Sequence, residues 1–565
     1  MVEGIRRGDL VGIAVAGERG AFAAPEHSGG AAIPHPWARH VQRVDAELPR
    51  WAMWSSDTAR ALVAAGVEVR SSWDLRAVDR LLHGRWRTDP ARIWANAYEL
   101  AYEGIPIDVP ADLFHPYLAP NAAEGPVDAS GYLRAHWVAR DWCATDAHAV
   151  QWAEAITAVA RIQMEQVMTL KHSERVLATA RCESTTELLC AELECVGLPI
   201  DRREAERIIT SHAGPRPRDS DDEIAARSAR DAEVFTHVPE LPPIDLRSPG
   251  QVRTLLRYVG IEVPDTRAGT LRRLREAHPV VEALLAWRKS ERIATTYGYE
   301  WLDETVGGDG RLRGSWSSSD GAAGRMTASA GLHNLVAEMR AAVVAEPGFT
   351  FVRADLGQIE PRVLAVISGD VALAHATQQD DLYAPIAAQL GVDRATAKLA
   401  VLGAMYGQTT GHGAAALARM RNAYPVAMAY LDAGDRAGRV GEDLRTYGGR
   451  LVRLASTNPD TIDERDARSI AAARGRYGRN ALVQGAAAEF FKLWAVTVRA
   501  RAVALDARIV LCLHDELVLH VAIGDAPAAV RLVDDALRET AFRFAPDNTV
   551  RFVADTSIVS RWSDV

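Results

Sequence analysis

Residues 508–521 read RIVLCLHDELVLHV. Two apolar runs rich in β-branched residues flank His514, Asp515 and Glu516, the pattern of a β-hairpin with three ionisable residues at its turn. Strands this apolar belong inside a sheet, so the chain has to fold around them and leave the acids at the margin of a core. An Asp-Glu pair in a turn is unremarkable. Three ionisable groups between two such strands gain nothing from burial and point towards metal chemistry.

A second acid has a similar setting. TFVRAD, residues 350–355, is strand-like and delivers Asp355 at its tip, followed by a turn-prone Leu-Gly, then Gln358 and Glu360. Pro361 suits the first turn of a following helix, where its missing N–H costs nothing. In RATAKLAVLGAMYGQ, residues 394–408, Arg394, Lys398, Leu402 and Tyr406 recur every four residues and make one stripe on a helix. Two cations, an apolar residue and an aromatic in that order match a nucleotide laid along the helix, triphosphate at the cations and base at the far end. An amphipathic helix with a snorkelling Lys398 and a packed Tyr406 is the alternative. Read together, the three stretches favour the first. Two strand-borne carboxylates can hold a pair of divalent ions about 3.5–4 Å apart and clamp an in-line phosphoryl displacement. Mg²⁺ prefers carboxylate oxygen plus substrate phosphate, so Asp355 and Asp515 suffice as protein ligands. The implied reaction is nucleotidyl transfer.

The rest of the chain sets the frame. Its 565 residues are too many for one core and imply two to four domains. A net charge of −9 argues against a basic, nonspecific nucleic-acid coat but allows a local basic groove. The five cysteines contain no CxxC pair and read as reduced thiols of a cytosolic protein. No apolar run is expected to span a membrane, and LVGIAVAG near the start reads as a strand rather than a signal peptide. Nine of the fourteen tryptophans lie in residues 1–152, which marks a separate N-terminal domain. A helical pattern over 146–176 reads as a connector, and 214–223 as an exposed loop. Residues 247–292 hold ten Lys/Arg against five Asp/Glu and look helical with one basic side. Beyond about residue 340, strands alternate with long helices.

With these residues in view, DLGQIEPRVLAVISGD (355–370) resembles motif A of the family A, bacterial DNA polymerase I-like, DNA polymerases. The 394–407 stretch is similar to their fingers helix, and LHDELVL to their motif C. GAAGRMTASAGLHNL (321–335) resembles a palm segment ending in Gln-Asn, with His333 in the Gln place and Asn334 kept. RYGRNALVQGAAAEFFK (476–492) resembles the helix whose Arg, Asn and Gln meet template and primer, here Arg476, Asn480 and Gln484. The ordered set runs from about residue 180 onward and looks closest to actinobacterial proteins called bifunctional 3′-5′ exonuclease/DNA polymerase.

The resemblance implies an α+β multidomain protein: a right-hand polymerase of palm, fingers and thumb behind an N-terminal RNase H-like exonuclease-type domain. It implies domains at 1–150 and 181–565 joined by a helix at 151–180, with the thumb at about 205–310, the fingers at about 371–460 and the palm in the remainder. It implies a template-directed DNA polymerase with two Mg²⁺ ions, or Mn²⁺, acting on primer-template DNA and dNTPs as a cytoplasmic, nucleoid-associated monomer without a membrane. Asp355 and Asp515 would hold the metals, with the Leu356 carbonyl as a further ligand. Glu360 would exclude the ribose 2′-hydroxyl, while Gln358 and Arg362 shape that pocket; Arg362 also counts among the DNA contacts. Arg394 would hold the outer phosphates, and Lys398 would protonate the leaving pyrophosphate. Tyr406 would line the nascent pair, and Tyr383 replaces a histidine near the phosphates. Arg325, His514 and Glu516 would touch primer or template. The basic 247–292 segment would grip duplex phosphates.

Departures are also implied. Leu402 stands where the family carries an aromatic, and predicts weaker nucleotide binding. Leu356-Gly357 replaces Tyr-Ser, and Pro361 replaces leucine. In the N-terminal part Asp57 and Asp146 match exonuclease acids, but no Asp-x-Glu precedes them, and GDLVGIAVAGERGAFAA looks like the strands after that missing motif. Two of four acids hold two metals poorly, so the expectation is a relic without proofreading, and no 5′ nuclease domain. Two rivals stand beside the DNA polymerase: a catalytically silent primer-template binding protein, and a single-subunit RNA polymerase.

Overall fold

The apolar runs around residue 515 form the expected hairpin: strands Arg508–Cys512 and Glu516–Ala522 pair antiparallel, and Leu513 N–H donates to the Glu516 carbonyl at 2.8 Å. They are two strands of a four-stranded sheet in the order Arg508–Cys512, Glu516–Ala522, Phe349–Leu356, Ala554–Val559. The Phe351, Val352 and Ala354 side chains are fully buried, as are Leu511, Cys512, Leu517 and Leu519, which is why both acid-bearing stretches are so apolar. This computed structural model describes residues 5–24, 30–107, 124–321, 323–407, 414–454 and 464–564.

The chain divides into two compact units. The first comprises Met1–Val196, Ser315–Thr327 and Val352–Ile558; the second comprises Gly197–Gly314, Ala328–Phe351 and Val559–Val565.

Within the first unit, a second sheet has five strands in the order Ala31–Ile33, Arg19–Ala23, Leu10–Ala16, Arg50–Met53, Ser72–Asp74. The central strand Leu10–Ala16 runs antiparallel to Arg19–Ala23 and parallel to Arg50–Met53. Its two faces feed two cores, with Val11, Ile13 and Val15 on one side and Leu10 and Ala14 on the other. The stretch expected to follow a missing first strand therefore occupies the middle of the sheet. Its central strand Leu10–Ala16 carries no acid, and helix Asp146–Thr169 packs against that strand. Gly12 N–H donates to Thr157 Oγ1 at 3.0 Å, and a Cβ at Gly12 would stand 2.2 Å from the Ala153 carbonyl oxygen, so only glycine allows this approach.

The 146–176 pattern is not one connector. Helix Asp146–Thr169 is packed on the N-terminal sheet, and a second helix, Ser173–Val196, begins after a break at which His172 has φ 59°. Helix Glu464–Ala502, 39 residues long, includes a window apolar enough to cross a membrane by composition, contrary to expectation; 83% of that window is buried inside the protein.

Among the described residues of 371–440 come the helices Val371–Ala376, Tyr383–Leu390, Arg394–Tyr406, Ala414–Ala423 and Pro425–Val440. No disulfide joins the five cysteines, which all lie among the described residues, in keeping with the reduced thiols expected.

The second unit is helical over the basic stretch, in Pro249–Tyr258, Ala268–Arg272 and Pro279–Thr296, around a core that includes Val252, Leu255, Leu284 and Trp287. The expected loop at 214–223 ends early. Asp219 caps helix Ser220–Phe235 by accepting from Asp222 N–H, and Asp221, Asp222 and Glu223 occupy its first turn, where acids offset the helix dipole.

Candidate active site

Sheet pairing brings the two acids together. Asp355 is the penultimate residue of strand Phe349–Leu356, and Asp515 lies in the turn that opens the neighbouring strand. Leu356 N–H donates to the Asp515 carbonyl at 2.8 Å, so the two backbones are hydrogen-bonded at the level of the carboxylates. Burial raises the Asp355 carboxyl to about 6, and the nearby Asp515, Glu516 and Asp555 charges push the same way. Burial also raises Asp515, with Glu516 adding to it and His514 and Arg325 opposing. Two carboxylates that repel each other, oxygen donors only, are the donor set a Mg²⁺ ion favours, so the residues present fit that group.

These shifts have a testable sign. A carboxyl raised in the fold binds its proton more tightly than the unfolded chain does. Its ionisation therefore costs stability at neutral pH, and that cost is relieved as pH falls through about 6. Between pH 7.5 and 5.5 the unfolding midpoint of Asp355→Asn should rise less than that of the unaltered chain. Parallel pH profiles in the two proteins would contradict this environment for Asp355.

A cleft of about 160 Å³ runs beside the acids, lined among others by Arg325, Gln358, Glu360, Tyr383, Leu402, His514 and Asp515. Glu360, in the first turn of helix Ile359–Ser368, is held from two sides. Arg325 Nη2 donates to its Oε1 at 2.6 Å, and the Tyr406 hydroxyl to its Oε2 at 3.0 Å. Tyr406 also meets Gln484 on the long helix. Helix Arg394–Tyr406 thus brings the aromatic end of its stripe to Glu360, with Leu402 one turn back. Gly407, with φ 69°, ends that helix in the left-handed conformation, and the Arg476 side chain packs against its open face.

At the other end, Arg394 Nε and Nη2 hold Asp381 at 2.6 and 3.1 Å, and its guanidinium lies 5.6 Å from the Tyr383 ring centre. Lys398, one turn further on, is exposed. Burial pushes the Tyr383 hydroxyl up to about 12, with Glu360 acting in the same direction.

Arg362 is not where a DNA contact could reach it. Its side chain is fully buried and donates to the carbonyls of Gly357, Thr377, Gln379, Asp380 and Arg551. It also donates to Gln358 Oε1 at 3.3 Å, and Gln358 has φ 51°. These two residues support the turn under the cleft from behind.

Arg476, Asn480 and Gln484 stand four residues apart on helix Glu464–Ala502, Arg476 exposed and the others half-buried. Asn334 belongs to the second unit, where its carbonyl accepts from Arg292 at 3.1 Å, and His333 Nδ1 accepts from Ala328 N–H.

Asp57 and Asp146 are surface residues with different arginine partners. Asp57 pairs with Arg60 at 3.1 Å and Asp146 with Arg19 at 3.5 Å, their side chains 73% and 72% exposed. Among the described residues, no group of three or more His, Cys, Asp or Glu is arranged to hold a metal ion.

Two participants were missed in the sequence. Asp381 holds Arg394, and Arg353, two residues before Asp355 and on the same strand face, donates to Glu516. An arginine inside an otherwise apolar strand was the available signal for the second.

The acid pair at the strand ends, the cleft and the cation-bearing helix lie beside one another, and comparison with known proteins supplies the family. The sequence profile of DNA polymerase family A matches residues 221–564, more than half of the chain, and the chain belongs to that family. It is 30% identical over 354 residues to the thermostable DNA polymerase I of Thermus aquaticus, covering 56% of this chain and 42% of that protein. It is 31% identical over 300 residues to DNA polymerase I of Chloroflexus aurantiacus, covering 48% and 31%. The chain thus aligns with less than half the length of these curated relatives. The polymerase domain of Pol1 from M. smegmatis, solved with DNA primer-template and dNTP, shares the fold with a TM-score of 0.67 at 21% identity, over 98% of this chain and 96% of that one.

Proposed function

We propose that the chain is a template-directed DNA polymerase that adds dNMP to a primer 3′ end and does not proofread. The observation that carries this reading is the Leu356–Asp515 backbone bond, which joins the two acids beside the cleft that Leu402 and Glu360 line. Asp355 and Asp515 would hold two divalent ions, with the Leu356 carbonyl adjacent. Bound there, the ions supply Lewis-acid stabilisation of the attacking and leaving oxygens. Arg394 would leave Asp381 for the outer phosphates of the dNTP, and the exposed Lys398 would donate a proton to the departing pyrophosphate. Leu402 offers the incoming base an apolar but not aromatic surface. Glu360, fixed by Arg325 and Tyr406, cannot swing away from a 2′-hydroxyl, which favours dNTPs over rNTPs and DNA over RNA synthesis.

In this reading the four-stranded sheet is the palm, the helices of 371–440 the fingers, and the helical second unit the thumb. Exposed Arg253, Arg257, Arg267, Arg272 and Arg273 would meet duplex phosphates, and Arg325, Arg476, Asn480, Gln484 and His514 would contact primer and template, whereas Glu516, buried and paired with Arg353, is withdrawn from the expected DNA contacts. The N-terminal strand order is that of RNase H-like folds, so residues up to about 150 read as an exonuclease-type domain. Its central strand carries Gly12 and apolar residues where metal-binding acids would be needed, and Asp57 and Asp146 are each engaged by an arginine.

Primer extension with Mg²⁺ and dNTPs, on matched and mismatched 3′ ends, tests both halves. Extension of the matched end with no shortening of either primer is expected. Tight duplex binding without extension would favour the silent DNA-binding alternative, and removal of the mismatched nucleotide would overturn the loss of proofreading.

A further inference from the structure

Arg353 is the charged residue of its strand that the proposed chemistry does not use. Alternation places it on the same face as Asp355, and its side chain is only 11% exposed. Nε donates to Glu516 Oε1 at 2.5 Å, and Nη2 stands 3.5 Å from Asp355 Oδ2. Glu516 is itself 5% exposed and follows Asp515 directly. One planar guanidinium therefore spans the two chain segments that carry the acid pair. Arginine keeps its charge at any working pH, and its rigid fork serves two carboxylates at once, which a lysine cannot do.

We infer that Arg353 is a positioning residue that withholds Glu516 from the metal-binding set, leaving Asp355 and Asp515 as the carboxylate ligands and keeping the divalent ions loosely held. This rests on the polymerase reading of the same acids. The physical basis is ligand charge. Affinity for a hard divalent cation climbs with each carboxylate that can reach it, and a cation beside Asp355 opposes the ion directly. Ions that exchange between turnovers would be served by a two-carboxylate site. A third carboxylate would slow that exchange. Glu516 follows Asp515 directly, and its ion pair with Arg353 draws its carboxylate towards the guanidinium.

The test is Mn²⁺ binding, followed by electron paramagnetic resonance of the free ion. The protein carries a dideoxy-terminated primer-template and the matching dNTP, so that no reaction occurs. Arg353→Met should lower the Mn²⁺ dissociation constant by about tenfold, Arg353→Lys should stay within about threefold of the unaltered chain, and Arg353→Met/Glu516→Gln should return close to it. A merely structural arginine would weaken ion binding or leave it alone, so an unchanged or raised constant in folded Arg353→Met overturns the inference. If circular dichroism finds that variant unfolded, Glu516→Gln carries the test. It frees the guanidinium towards Asp355 and should raise the constant by about threefold, and an equal or lower value overturns the inference. Asp355→Ala/Asp515→Ala separates the two levels. Mn²⁺ binding that survives it unchanged removes the polymerase reading itself. Binding that it abolishes, with no response to the Arg353 and Glu516 variants, removes the inference alone.

Discussion

With Asp355 and Asp515 both replaced by alanine, primer extension should fall by about a thousandfold or more while primer-template binding stays within a few-fold. The expectation follows from how the acids are placed. They sit on adjacent strand ends joined by the Leu356–Asp515 hydrogen bond, and burial, reinforced by the Asp515 charge, raises Asp355. The substitutions remove both carboxylates but leave the backbone pairing that holds the sheet, so the loss should appear in the chemical step. Single-turnover extension together with duplex binding by fluorescence anisotropy reads the two quantities separately. Extension undiminished in the double variant would end the case for this site.

The second large effect concerns the interior. Glu183 on helix Ser173–Val196 lies between Lys492 on the long helix and Arg450, and these three side chains are 1%, 1% and 4% exposed. Lys492 also reaches the Ser318 carbonyl at 3.3 Å. Burial alone would push the Glu183 carboxyl up, but Arg450 and Lys492 outweigh it and hold the group below the usual carboxylate range. Glu183→Gln should therefore cost about 3–5 kcal/mol, because it takes from two buried cations the carboxylate that pairs with both. Urea unfolding would measure this. The double variant Glu183→Leu/Lys492→Met, which removes a buried pair together and leaves Arg450 to Glu489 and Glu187, should be less destabilised than Glu183→Gln. A Glu183→Gln protein as stable as the parent would mean that these charges are solvated rather than paired. The long helix also carries Arg476, Asn480 and Gln484, so this ion cluster fixes the register of residues proposed to meet DNA.

What could be read directly from the chain was whatever local periodicity determines. The hairpin around Asp515, the strand ending at Asp355 and the stripe from Arg394 to Tyr406 each follow from alternation or four-residue spacing within about fifteen residues. Partners fixed by long-range packing were not legible. Arg353 and Glu516 are 163 positions apart, and nothing near either names the other. Counting Arg362 among the DNA contacts fails for the same reason, while its place in the shell of the pocket agrees with its position. Its burial depends on five carbonyls converging from residues 357, 377, 379, 380 and 551. The helical pattern over 146–176 concealed a break, because residues 170–172 contain neither glycine nor proline to announce it. The acidic stretch from Asp219 looked like a loop by composition, although its spacing also fits a helix start.

The sheet order has a consequence for biosynthesis. Strand Glu516–Ala522 lies between Arg508–Cys512 and Phe349–Leu356, so the edge that presents Asp355 waits for a partner translated some 160 residues later. A nascent chain halted anywhere before residue 515 has one acid and no second. On the polymerase reading, such a fragment would lack half of the proposed metal-binding pair however much of the remaining sheet had formed.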